Sequence, residues 1–144
     1  MLTREEKALR KLLRFFTFLF ALGFLSFLFF PRLLFEELNF LSLKIAPTFS
    51  PLPVSDDRFW LVLALSLMAI ITALCYGAQS DVRRKKELAF YVLIGKAASS
   101  LLFTVFFFTK HSLPYLFGTL VDGSIFWVLL IFYKKAVRSS QLML

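Results

Sequence analysis

Four long runs of apolar residues, separated by short polar segments, dominate the pattern of hydrophobic and polar positions. They predict helical spans at about residues 13–31, 59–78, 88–108 and 113–133. Each run is close to the ~20 residues that a helix needs to cross the ~30 Å hydrocarbon core of a bilayer. The pattern therefore predicts an all-α membrane protein with four transmembrane helices in an antiparallel bundle.

The first span ends at Pro31, because proline cannot continue the helical hydrogen bonds. Its apolar run is longer than that of a signal peptide and lacks a small-residue cleavage site, so we expect it to stay as a membrane span. Before it, residues 1–14 predict a cytoplasmic basic amphipathic helix that begins with a capping box of Thr3 and Glu6. Residues 15–144 then make up the four-span membrane domain.

The segment between the first two spans, residues 31–58, is rich in proline and charge but keeps much apolar surface. Apolar residues recur at helical spacing from Leu33 to Leu41, which predicts a short helix lying in the membrane interface. The stretch from Pro47 to Pro53 should be extended, because proline pushes the preceding residue out of the helical region. Three roles stay open for this outer loop: a cap over the bundle, a contact for a neighbouring subunit, or a connector resting on lipid.

The composition supports a membrane protein, since 59% of the residues are hydrophobic and 20 are Phe. A net charge of +8 would suit nucleic-acid binding, but the basic residues cluster beside the spans, so we expect no nucleic-acid partner. A single cysteine, Cys75, excludes an internal disulfide and a cysteine-based zinc site, and a single histidine, His111, excludes a haem held by two histidines of this chain. We expect no metal and no cofactor.

The distribution of basic residues predicts the orientation. Of the 17 Lys and Arg residues, Lys96 lies inside a span and only Arg32, Lys44, Arg58 and Lys110 lie on the less basic side. By the positive-inside rule, both termini and the 79–87 turn are cytoplasmic, and the 31–58 loop faces outward. This pattern suits the inner (cytoplasmic) membrane of a bacterium.

Eight basic residues form the predicted membrane-surface set. They serve as topology anchors, or else attract anionic headgroups or an acidic partner. They are Arg4, Lys7, Lys11, Arg14, Arg83, Arg84, Lys85 and Lys86.

Two ionisable residues lie well inside the third and fourth spans. At a rise of ~1.5 Å per residue, Lys96 lies ~12 Å and Asp122 ~16 Å from the same membrane face. A lone charge near the bilayer centre costs ~2.5–3.5 kcal/mol on insertion scales, so each residue needs a partner, and the other is the simplest one. Side chains lean toward the N-terminus of their own helix, so on antiparallel spans these two lean apart, although the lysine stem covers a few ångströms.

Small and polar residues surround both charges. Gly95 and Ser99 have the small-xxx-small spacing that allows close helix packing, and Gly118 lies one turn from Asp122, where another backbone could approach the carboxylate. The predicted intramembrane polar cluster is Lys96, Asp122, Ser99, Ser100 and Thr119.

Two classes of function fit this chain. The first is a non-catalytic membrane subunit, or an assembly or accessory factor of a larger complex, because no catalytic constellation, nucleotide loop or metal motif is present in the sequence. Its partners would be the lipid bilayer and other membrane subunits, or further copies of the chain. The alternative is a small proton- or ion-coupled transporter, or a lipid- or quinone-binding protein, that acts through Lys96 and Asp122. We do not expect an enzyme.

Overall fold

The computed structural model describes residues 2–52 and 58–141, without the side chains of residues 58, 140 and 141. This part of the chain is all-helical and contains no β-strand. Five helices follow in order: α1 Arg4–Phe29, α2 Pro31–Ile45, α3 Arg58–Ser80, α4 Lys86–Lys110 and α5 Leu113–Gln141.

Four of these helices, α1, α3, α4 and α5, are long and apolar enough to cross a membrane, which is consistent with an integral membrane protein. The predicted spans 59–78, 88–108 and 113–133 lie within α3, α4 and α5, and α5 continues eight residues further. The main difference is α1, which is continuous from Arg4 to Phe29. The basic N-terminal segment and the first span are thus one helix.

The start of α1 confirms the predicted capping box. The Thr3 hydroxyl accepts a hydrogen bond from the Glu6 backbone N–H at 3.0 Å, and the Thr3 N–H donates to the Glu6 carboxylate at 2.9 Å. These two bonds satisfy donors that a helix N-terminus otherwise leaves unpaired.

The helices pack most extensively as two pairs, α4 with α5 and α1 with α3, and contacts of α3 with α4 and of α1 with α5 join the pairs. Ring contacts along the first pair join Phe90 to Tyr133 and Phe103 to Tyr115. Most other large apolar side chains on these helices are exposed, as in a protein whose outer surface faces lipid. The buried core includes Leu9, Leu13, Phe16, Phe20, Cys75, Val92, Leu93 and Leu129.

The connection after α2 corrects one expectation. The chain does not extend from Pro47 but turns there, since the Phe49 N–H donates to the Ala46 carbonyl at 3.1 Å. Proline favours the second position of such a turn because its fixed φ matches that position. Pro53, the other end of the predicted extended stretch, lies outside the described residues.

Among the described residues, hydrogen bonds hold this connection to neighbouring parts of the molecule at two places. The Asn39 side chain of α2 exchanges two hydrogen bonds with the Leu52 backbone, at 2.7 and 2.9 Å. Beyond the turn, the Ser50 N–H donates to the His111 carbonyl at 3.0 Å, between α4 and α5. The segment that follows α1 therefore reaches the α4–α5 turn.

Candidate functional site

The structure places the two charged side chains of the apolar helices in direct contact. The Lys96 ammonium lies 2.7 Å from one carboxylate oxygen of Asp122, and each side chain is 12% exposed. Lys96 comes from α4 and Asp122 from α5, so the ion pair joins the two helices that pack most closely. Each charge thus has a partner of opposite sign in a largely desolvated position.

Ser99 completes the pair. Its hydroxyl donates to the second oxygen of Asp122 at 2.5 Å, and the Lys96 carbonyl, 3.3 Å away, is an alternative acceptor. Ser99 lies three residues after Lys96, so it shares the same helix face and lies ~4.5 Å further along α4. This is about the depth of Asp122. The carboxylate therefore accepts from Ser99 beside it, and the flexible lysine stem covers the offset that the opposed leanings create.

A ring from a third helix covers the lysine. Lys96 Nζ lies 4.6 Å from the centre of the Phe20 ring of α1, a cation–π contact. Phe20 is 7% exposed, and its ring stacks on Phe16 with 5.8 Å between centroids. Sequence reasoning missed this residue, because nothing local distinguishes it from the other Phe residues of the first span.

The hydroxyls of two of the predicted cluster residues, Ser100 and Thr119, bond in a neighbouring layer and not to the pair. The Ser100 hydroxyl donates to the Thr119 carbonyl at 3.2 Å, and the Thr119 hydroxyl lies 3.3 Å from that of Thr104. Gly123 permits this close approach, because a Cβ there would lie 3.1 Å from the Ser100 oxygen. Thr104, which the sequence analysis did not select, therefore belongs to the α4–α5 polar contact.

Gly118 has a different role from the one expected. The Phe103 ring lies over it, so that a Cβ at Gly118 would be only 2.8 Å from a ring carbon. An aromatic side chain, and not another backbone, fills the space that the glycine leaves. Gly95 faces α3, where a Cβ would make an ordinary 3.8 Å contact with Ile71.

A second polar cluster lies where α1 begins. Glu6 is fully buried, and its carboxylate meets the Arg83 guanidinium of the α3–α4 turn at 3.3 Å. The Thr3 hydroxyl lies 3.1 Å from that of Ser139 on α5. The cluster therefore joins three parts of the chain. The capping signal identified Thr3 and Glu6, but no local pattern identified their distant partners.

The predicted membrane-surface residues are not gathered into one site. The four on α1, Arg4, Lys7, Lys11 and Arg14, are exposed along the helix. In the α3–α4 turn, Arg83 pairs with Glu6. Arg84 lies 3.9 Å from the Asp81 carboxylate, and Lys85 donates to the Ser80 hydroxyl at 3.2 Å. Lys86 begins α4 and is half-buried.

The central site combines an ammonium, a carboxylate and a hydroxyl that satisfy one another. Such a group can hold helices together, and it can also exchange a proton or a counter-charge if the pair opens. Within residues 2–52 and 58–141, no three His, Cys, Asp or Glu side chains group as they would around a metal ion. Comparison of this chain with protein families, curated proteins and solved structures finds no match.

Proposed function

We propose that this chain is a non-catalytic integral membrane subunit, or an assembly or accessory factor, of a larger membrane complex. It would lie in a bacterial inner membrane with both termini in the cytoplasm, as the excess of Lys and Arg in the terminal segments and the 79–87 turn supports. In this arrangement α2 lies at the outer interface.

The contacts support an antiparallel bundle. Along α4 and α5 the partners run in opposite directions, from Phe90 with Tyr133 to Phe103 with Tyr115. α1 and α3 are also antiparallel. Gly23, late in α1, lies next to Met68 of α3, whereas Glu6, at the start of α1, lies next to Arg83, just after the end of α3. The basic 79–87 turn then falls at the same end as the N-terminus.

The observation that carries the proposal is an apolar groove between α1 and α3. It has a volume of about 430 Å³, and alanines and threonines make up much of its lining. Its lining is Thr17, Ala21, Phe24, Leu25, Ala69, Thr72, Ala73 and Tyr76.

The groove presents little polar chemistry to a ligand. The Thr17 hydroxyl donates to the Leu13 carbonyl at 2.8 Å, and the Thr72 hydroxyl donates to the Met68 carbonyl at 2.7 Å. Both hydroxyl protons are therefore used within their own helices, and the Thr17 oxygen also accepts from the Gln79 side chain of α3 at 3.4 Å. Small residues let helix backbones approach closely in a membrane, where van der Waals packing drives helix association. The proposed occupant is a transmembrane helix of a partner subunit.

Filling the groove tests this proposal. Ala69→Leu and Ala73→Leu add bulk at exposed positions of α3, so the fold should tolerate them while a partner helix is excluded. Ala98→Leu is the matched control, because Ala98 is an exposed alanine on α4, away from the groove.

The assay is co-purification of the tagged full chain from its native membranes in mild detergent. A stoichiometric membrane protein should accompany the wild type and the Ala98 variant and should be lost from both groove variants. Equal recovery with all four proteins would refute the groove as the subunit interface. Recovery of a lipid or quinone that depends on the groove, without a protein, would favour the lipid-binding alternative.

The ion pair favours a second candidate, a small proton- or ion-coupled transporter. Lys96 and Asp122 are the charged groups that lie deep between apolar helices in contact with each other. In such a protein the pair would open as a proton or counter-ion passes. Asp122→Asn should then abolish pH-dependent flux in liposomes while insertion and folding persist. If the wild-type protein shows no such flux, the transporter candidate is refuted and the subunit proposal remains.

A further inference from the structure

A cleft of about 380 Å³ lies at the C-terminal end of α5, away from the groove and the ion pair. Its lining is Tyr133, Lys134, Lys135, Val137 and Arg138. Three of these five side chains are cations, and Tyr133 adds a hydroxyl donor at the end of the predicted fourth span. The cleft therefore has the chemistry of a site for a phosphate or phosphodiester group.

The three cations differ from the basic residues of the α3–α4 turn. Arg83 and Arg84 each lie in a salt bridge with an acidic side chain of this chain. In the part of the chain that the structure describes, Lys134, Lys135 and Arg138 take part in no salt bridge. No acidic side chain among the described residues pairs with these three cations, so an external anion can bind them without displacing such a partner.

The same face of α5 continues as an apolar stripe. Trp127 precedes Lys134 by seven residues and Arg138 by eleven, which places all three on one side of the helix. Leu120, Trp127 and Ile131 of this stripe are 60%, 62% and 49% exposed. A cationic patch directly above an exposed apolar stripe matches a molecule with an anionic head and a hydrocarbon tail.

We propose that this face of α5 binds an anionic phospholipid. The headgroup phosphate lies among Lys134, Lys135 and Arg138, and an acyl chain runs along Ile131, Trp127 and Leu120. The site is separate from the proposed subunit groove, so each proposal can fail without the other.

Trp127 offers a direct readout, since the chain has only two Trp residues and the other is Trp60. In a Trp60→Phe background, Trp127 is the single Trp in the full chain. The protein is reconstituted in phosphatidylcholine vesicles that contain an equal mole fraction of either brominated phosphatidylglycerol or brominated phosphatidylcholine. Bromine on an acyl chain near Trp127 quenches its fluorescence, so the ratio of the two quenching values measures the preference for the anionic lipid.

The wild-type residues should give stronger quenching by brominated phosphatidylglycerol. A variant with Lys134→Gln, Lys135→Gln and Arg138→Gln should bring the ratio close to one, because each basic residue near an anionic headgroup strengthens association by roughly fivefold. The control variant carries Arg10→Gln, Lys11→Gln and Arg14→Gln, which removes the same charge from exposed positions of α1. It should keep most of the preference.

A ratio near one with the wild-type residues, or an equal fall in both triple variants, would overturn the proposal. A free anion is distinguished in detergent by heating the protein with inorganic phosphate at matched ionic strength. Stabilisation by phosphate without any lipid preference in vesicles would assign the site to a soluble anion. Capture of a protein that depends on the three cations, again without lipid preference, would also refute the lipid assignment.

Discussion

Variants that lack Lys96, Asp122 or both distinguish a coupled buried ion pair from two charges that do not interact. Lys96→Met and Asp122→Leu each replace a charged side chain by an apolar one of similar size. With only 12% of either side chain exposed, the remaining charge has little water around it. Breaking a buried pair costs roughly 3–5 kcal/mol, because an uncompensated charge remains.

The contacts around the pair explain why the double variant should regain most of its thermal stability. After Asp122→Leu alone, Lys96 keeps the Phe20 ring, and a desolvated cation–π contact of this kind is worth roughly 2 kcal/mol, less than the cost of a broken buried pair. After Lys96→Met alone, Ser99 is the one side chain among the described residues that still donates a hydrogen bond to the carboxylate. When both charges are absent, Ser99 can still donate to the backbone carbonyl of residue 96. No charge is then left unpaired, and the double variant should lie within ~1–2 kcal/mol of the wild type.

The measurement is thermal unfolding in mild detergent, followed by circular dichroism and by loss of the monodisperse gel-filtration peak. Each single variant should lower the midpoint by on the order of 10 °C, and the double variant should recover most of that loss. Lys96→Met combined with Ser124→Ala is the control cycle, because Ser124 is exposed and donates to its own helix at Val121. The control effects should add. Additive effects of Lys96→Met and Asp122→Leu would refute the coupling.

Two further predictions follow from the packing and the charge distribution. Gly118→Leu should destabilise the protein by roughly 1–3 kcal/mol, since its Cβ would lie 2.8 Å from the Phe103 ring. Adding Phe103→Ala should restore part of the loss in the same unfolding assay, whereas an unchanged midpoint for Gly118→Leu would show that the ring moves aside freely. In a Cys75→Ser background, Thr48→Cys should react with an impermeant thiol reagent added outside cells, whereas Lys135→Cys should react only after the membrane is opened. The reverse labelling would refute the proposed orientation.

The helices themselves could be predicted from the sequence, because their signals are local. Apolar runs near ~20 residues long, the capping pair Thr3 and Glu6, and the break at Pro31 each act within a few residues. The turn at Pro47 was missed, because proline is compatible with both an extended chain and a turn, and the choice depends on where the following residues are held.

The candidate site was predictable in part. The cost of a lone charge in an apolar helix identified Lys96 and Asp122, and helical spacing identified Ser99 as a neighbour. The same reasoning could not separate Ser99, which contacts the carboxylate, from Ser100, which bonds to the Thr119 backbone one layer away. That difference depends on the rotation of α4 against α5, to which residues of both helices contribute.

The sequence by itself determined the helices, the apolar surface and the need for a partner at each buried charge, because these follow from hydropathy, spacing and desolvation along one stretch of chain. Only the tertiary structure decided which distant residues supply the partners: Phe20 over Lys96, Arg83 beside Glu6 and Phe103 over Gly118. Helical periodicity tells which residues share a face, but many apolar faces of one protein are nearly equivalent. The partner of each face is set by the packing of whole helices against one another.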